Sequence, residues 1–203
     1  MEKVAPAEVS IHDLIARRWS PRAFADRPVS AATLRQLFEA ARWAASSYND
    51  QPWYYLVATQ EHPGEFQKML ACLVEFNQAW AKAAPVLAIS VARAKFHHDG
   101  SPNLHALHDV GAASALLALQ ATALGLAVHQ MAGFDAGKAR ETYHLPADYQ
   151  PVAAMAIGYP GDPAALPEKL RERETAPRTR KPVSDFVFTG DWGHQAAFVS
   201  GKS

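Results

Sequence analysis

The segment that most limits what this chain can become runs from Leu104 to Leu124, and it is apolar on most of its sides. Read as one long helix, it has to be buried around most of its circumference. Gly125 follows as the natural C-cap, because glycine takes the left-handed conformation without a side-chain clash. In a chain of 203 residues, such a helix takes up much of the core, and a subunit interface is a natural place for it. The longest apolar run, Leu116 to Val128, is interrupted by Gln120, Thr122 and Gly125. It is too short and too broken to span a bilayer.

Other elements assemble around that helix. Ser10 and Asp13 read as a helix start, with Val9 and Leu14 as a hydrophobic staple and Ile11, Leu14 and Ile15 on one face. Pro21 stops this helix, since the residue before proline is pushed out of the α region. Ser20 is then extended, and Arg18, Ser20 and Arg22 fall on one side. Val29-Ser30 repeats the staple and cap ahead of Leu34, Leu37, Phe38 and Ala41, an amphipathic helix. Tyr54–Ala58, Pro85–Val91, Val128 onward and Val152–Gly158 read as strands. Phe66–Leu73 and Phe76–Ala83 read as helices. Trp43, Trp53, Tyr54 and Tyr55 fall mostly on core positions by spacing. From Pro163 the chain is proline-rich and charged, and regains apolar character at Phe186-Val187-Phe188. The mixture predicts an α+β fold in one domain over 1–203, with its core at about 10–190.

Composition removes several function classes. Twenty basic and twenty acidic side chains balance, and no basic stripe is visible, which argues against nucleic acid as partner. Cys72 is the only cysteine, so there is no internal disulfide or CxxC, and a reducing cytoplasm fits. Met1 to Pro6 has no apolar signal core. His105 and His108 share a helix face with Asp109 beside them, but no third ligand has convincing spacing, so no metal site is expected. No G-x-G-x-x-G is present, so no Rossmann site is expected.

The informative polar residues lie at both ends. Arg18-Trp19-Ser20-Pro21-Arg22 sits near the start and Pro177-Arg178-Thr179-Arg180 near the end. Guanidinium groups grip phosphate oxygens in pairs, and four arginines with a hydroxyl suit one phosphate monoester. R-x-S-x-R alone is equally a solvated helix end whose arginines meet the dipole. Ser46-Ser47-Tyr48-Asn49-Asp50-Gln51 supplies the amide and hydroxyl groups that a flat heteroaromatic edge needs. Together these segments suggest flavin mononucleotide.

The same segments resemble the FMN-dependent nitroreductase family over about Asp13 to Phe188. R-R-W-S-P-R-A-F is similar to its opening signature and Ser46–Trp53 to its S-S-x-N-x-Q-P-W loop. Asp109-x-Gly111, Met131-Ala132-Gly133-Phe134, Ile157-Gly158-Tyr159-Pro160 and Arg178-x-Arg180 follow in the family's order. The resemblance implies a nitroreductase-like fold: a central, mainly antiparallel sheet flanked by helices, homodimeric through the long helix. It implies that Arg18, Ser20, Arg178 and Arg180 hold the phosphate, with Trp19 bordering the ring. Arg22 and Asn77 approach the ring, and the backbone of Met131, Ala132 and Gly133 passes it. Ser46, Ser47, Asn49 and Gln51 belong to the loop that reaches the partner's flavin. It further implies NADH or NADPH as donor and a ping-pong transfer to a small flat acceptor such as a nitroaromatic or quinone. No protein side chain need act as acid or base. Two positions depart from the family pattern: Trp80 stands where lysine is frequent, and Ala132 where glutamate is frequent. They keep open an alternative, an FMN-binding storage or regulatory protein with little turnover.

Overall fold

The computed structural model describes residues 3–199, so both ends of the expected 1–203 domain lie outside the described residues. Four strands form one antiparallel sheet: β1 (Trp53–Thr59), β2 (Val86–Arg93), β3 (Ala127–Met131) and β4 (Tyr149–Gly158), in the order β1-β2-β4-β3. Pairing starts at Trp53↔Ala92 between β1 and β2, and at Ala127↔Gly158 between β3 and β4. The apolar run of β2, interrupted by Ser90, is explained by its place between β1 and β4, covered on both faces. Its alternate side chains feed two cores. Leu87, Ile89 and Val91 join Phe66, Met69 and Trp80 on one side, while Val86 and Ala88 join Leu37, Ala113 and Leu117 on the other.

The first core is covered by α3 (Pro63–Leu70) and α4 (Glu75–Ala81), the second by α2 (Ala31–Arg42) and α5 (Ala106–Ala123). α2 begins as expected: Ser30 Oγ accepts from the Thr33 N–H. α5 ends as expected too. Gly125 takes φ +75° and the Leu126 N–H reaches back to the Ala121 carbonyl at 2.8 Å, closing the helix end. The long helix buries Val110, Ala113, Leu117 and Ala121, yet Leu107, His108, Gly111 and Ala115 remain exposed along one stripe. It is therefore not buried all round within one chain.

Two expectations need correction. The first helix, α1, spans Asp13–Arg17 and is capped by His12, whose Nδ1 accepts from the Leu14 N–H, so Ser10 is not its cap and Ile11 lies outside it. Trp43 is 71% exposed rather than core, because α2 ends at Arg42 and the indole turns back to bond Glu39. The charged region after Pro163 contains a helix, α7 (Glu168–Thr175). Between β3 and β4 lies α6 (Ala136–Thr142), capped by Asp135. No helix among the described residues is long and apolar enough to cross a membrane.

Candidate functional site

The two arginine segments meet. Lys3, Arg18, Trp19, Ser20, Arg22, Arg173, Arg178 and Arg180 line one cavity of about 280 Å³, with Glu174 as its only carboxylate. Arg18 Nη1 lies 3.5 Å from Ser20 Oγ, a long contact, and the structure gives it no acidic partner among the described residues. Burial, and then the charge of Arg180, lowers the Arg18 guanidinium from its ordinary range. Arg178 is lowered in the same direction by burial and then by Arg18 and Arg180. Like charges crowded without a counter-ion repel one another; an anion in the cavity relieves that repulsion.

The arginines are not equivalent. Arg178 donates Nη1 to the carbonyls of Lys3 (2.6 Å) and Ala16 (2.7 Å), and Nη2 to Arg18 (2.9 Å). Its guanidinium ties the N-terminal segment and the end of α1 to the C-terminal segment while adding charge to the cavity. Arg180 is exposed and, among the described residues, bonds only the neighbouring Thr179 carbonyl. The Glu174 side chain, 1% exposed, accepts the backbone N–H groups of Arg22 and Ala23 at 2.8–3.1 Å and faces Arg22 Nη1 at 3.9 Å. Glu174 thus fixes the strand-like turn that aims Arg22.

Behind Arg22 lies a buried seam. Trp80 packs 4.6 Å from the His129 ring and stacks on Phe24, with the Arg22 guanidinium 6.0 Å from its centroid. His129 Nδ1–H donates to the Pro21 carbonyl at 2.9 Å. Burial, offset in part by that bond, pushes the imidazole down to about 4, so it is neutral at pH 7. Trp80 Nε1–H donates to Asn77 Oδ1 at 3.2 Å, and Asn77 Nδ2 donates to the Gly133 carbonyl at 2.9 Å. A Cβ on Gly133 would lie 2.5 Å from Asn77 Nδ2, which explains the glycine. Two polar groups remain over: Arg22 Nε is buried without a partner, and the Gly133 N–H donates to no group among the described residues.

The Ser46–Gln51 loop stands apart from the cavity lining in the same chain. Tyr48, Asn49 and Gln51 all take φ of 53–54°, a left-handed conformation that costs roughly 1–2 kcal/mol at each non-glycine residue. The loop is held by Asp109 Oδ2, which accepts the Ser47 N–H at 3.1 Å, and by Asp50 Oδ1, which accepts the His97 N–H at 2.7 Å. Asp109 is buried in the first turn of α5, where a carboxylate is favoured by the helix dipole. Tyr48 is 84% exposed, edge-on to Phe96.

The structure brings Arg18, Trp19, Ser20, Arg22, Arg178 and Arg180 together, and joins Asn77 to Gly133, with Met131 and Ala132 leading into that turn. It does not bring Ser46, Ser47, Asn49 or Gln51 into the same chain's cavity. Sequence reasoning missed Glu174 and His129. One of three glutamates in a charged helix, and a lone histidine in a short strand, carry no local signal. No group of His, Cys, Asp and Glu among the described residues is placed to hold a metal ion.

The Nitroreductase family model matches residues 15–159. A Streptomyces coelicolor protein provisionally named NADH dehydrogenase/NAD(P)H nitroreductase is 31% identical over 163 residues, covering 70% of this chain and 79% of that protein. A solved structure described as an oxidoreductase containing FMN is 34% identical, with TM-score 0.89 over 94% of this chain and 97% of that one. A nitroreductase family protein from Clostridium difficile is 26% identical, with TM-score 0.66 over 86% of this chain and 94% of its own.

Proposed function

The chain belongs to the nitroreductase family, and on that premise we propose that it is an NAD(P)H-dependent FMN oxidoreductase acting on nitroaromatics, quinones or similar flat acceptors. The observation that carries this reading is the crowd of guanidinium groups at Arg18, Arg178 and Arg180 in a cavity whose one lining carboxylate, Glu174, is engaged by Arg22 and Ala23. The orphaned Arg22 Nε and the unused Gly133 N–H support it, because a flavin ring edge offers acceptors to both.

In this reading Arg18, Ser20 and Arg180 bind the phosphate and Arg178 holds their segments together. FMN held there would supply the redox chemistry, hydride transfer between NADH or NADPH and a flat acceptor in a ping-pong cycle, while these residues bind and orient it. Arg22 presents a fixed cation to the ring edge, which favours the more negative, reduced form by the same electrostatics that shift a pKa. Glu174 and His129 keep the backbone from Pro21 to Ala23 in place. Asn77 and the turn at Gly133 set the position of a backbone N–H donor. No side chain acts as an obligatory acid or base.

The separate Ser46–Gln51 loop and the exposed stripe of α5 favour a homodimer in which this loop meets the partner's flavin. The whole of 1–203 acts as one such domain. The test is a visible spectrum of purified protein after FMN addition, then anaerobic NADPH or NADH. Flavin bands that bleach, and return when acceptor is added, are expected; a protein that takes up no FMN would overturn the reading.

A further inference from the structure

We propose that Trp80, which lies in the core, is a positioning residue for the flavin ring: its indole N–H orients Asn77, and Asn77 holds the Gly133 turn. The proposal rests on the FMN reading above.

Trp80 is 2% exposed, so hydrophobic packing alone explains its ring. Packing does not explain where its one polar atom points. Nε1–H meets Asn77 Oδ1 at 3.2 Å in a buried contact, and Asn77 Nδ2 meets the Gly133 carbonyl at 2.9 Å. Each bond fixes the other. A flipped amide would set Nδ2 against the indole N–H and Oδ1 against a carbonyl, two repulsive contacts at a buried side chain. The indole N–H therefore selects the amide orientation that grips Gly133.

The grip has consequences beyond Asn77. The Gly133 carbonyl also accepts the Val74 N–H at 3.1 Å, and Asn77 Nδ2 fills the space that a Cβ on Gly133 would need. With its carbonyl held twice, the Gly133 turn is fixed and its unpartnered N–H keeps one direction. The other side of the same indole faces His129, which bonds the Pro21 carbonyl, and Arg22, whose guanidinium lies 6.0 Å away. One core residue thus couples two groups of this site that lack a partner among the described residues, the Arg22 Nε and the Gly133 N–H. They come from segments far apart in sequence, and both suit the edge of one ring.

The test is Trp80→Phe, which keeps a ring against Phe24 and Arg22 and removes only the N–H donor and the second ring. FMN binding to apoprotein is titrated by flavin fluorescence, and the midpoint potential of the bound flavin is measured. We expect affinity to fall roughly tenfold, the effect of one lost buried hydrogen bond. The potential should move lower, because a loosened N–H donor at Gly133 favours the reduced ring less. In an Asn77→Ala background, Trp80→Phe should have no further effect on affinity. Phe24→Leu, at the indole's stacking partner, should lower Tm and leave FMN affinity and potential unchanged. If Trp80→Phe does not fold, Asn77→Asp retains the acceptor for the indole and loses the donor to Gly133, and the same weakening is expected. Wild-type affinity and potential in Trp80→Phe, or wild-type affinity in Asn77→Asp, would overturn the proposal while the FMN reading stands. Wild-type protein that takes up no FMN would overturn both.

Discussion

The arginine cavity and the seam behind it solve opposite electrostatic problems with neighbouring residues. In the cavity, Arg18, Arg178 and Arg180 are crowded, partly exposed and short of negative charge. In the seam, Trp80 and Asn77 are buried and His129 is half-buried, and each polar side chain has a protein partner. The cavity is assembled from the two ends of the chain and gains from an anion. The seam is part of the first core and is complete without one. A cavity with unbalanced charge is a binding device that costs stability. A satisfied buried network is a positioning device that supplies it. Glu174 belongs to both, since it lines the cavity and bonds the backbone that enters the seam.

The sharpest way to break this division is at Glu174. Glu174→Ala leaves two backbone N–H groups and the Arg22 charge without their buried partner, and should cost about 3–5 kcal/mol of stability, read by urea unfolding. FMN at saturating concentration should restore part of that loss. A loss under 1 kcal/mol would mean that the joint between the regions is unimportant. The seam makes the next largest prediction. His129 is lowered from 6.5 to about 4 in the folded state, so between those values the unfolded chain binds the extra proton. Stability is then full above pH 6.5, falls as pH drops toward 4, and loses no more to this group below 4. The loss is up to about 3 kcal/mol. In His129→Asn that slope should flatten; an unchanged pH profile would remove His129 from the buried network.

Much of this comparison was legible in the sequence, though unevenly. The strands, α2 and α5 announce themselves because apolar periodicity and caps such as Ser30 and Gly125 act over a few residues. The cavity was legible because its charges have no hydrophobic explanation and occur in clusters, Arg18 with Arg22 and Arg178 with Arg180. The seam was not. Trp80 reads as any buried aromatic, and its hydrogen bond to Asn77 depends on a rotamer that tertiary packing selects. His129 bonds a carbonyl 108 positions away in sequence, and Glu174 bonds N–H groups more than 150 positions away. Contacts of that span leave no local pattern. The start of α1 was misread because His12 caps it, and histidine is outside the usual capping set.

Within the cavity the arginines should separate by role. Arg18→Ala should weaken FMN by about 2 kcal/mol, near thirtyfold, the low end for removing one partner of a buried charged pair. Arg178→Ala should weaken FMN comparably and also lower Tm, because its guanidinium holds three backbone carbonyls. Equal effects on Tm from the two substitutions would erase the distinction between the cation that binds and the cation that clasps.

Arg180→Ala makes the smallest and cleanest prediction. Arg180 is exposed and, among the described residues, bonds only the carbonyl of its neighbour, so its removal leaves no buried group unsatisfied and stability should stay within about 0.5 kcal/mol. It also relieves repulsion, since the Arg180 charge acts on both Arg18 and Arg178. Two opposed effects on FMN follow: one phosphate contact is lost, and the two remaining guanidiniums are less crowded. The contact should prevail, but by no more than about 1 kcal/mol, because an exposed pair is screened by water and salt. Raising ionic strength should therefore weaken FMN less in Arg180→Ala than in the wild type, while the seam variant Trp80→Phe should keep the wild-type salt slope. Equal salt slopes in all three proteins would mean that the cavity does not act through its charge, and the contrast between the two regions would fail at its electrostatic root.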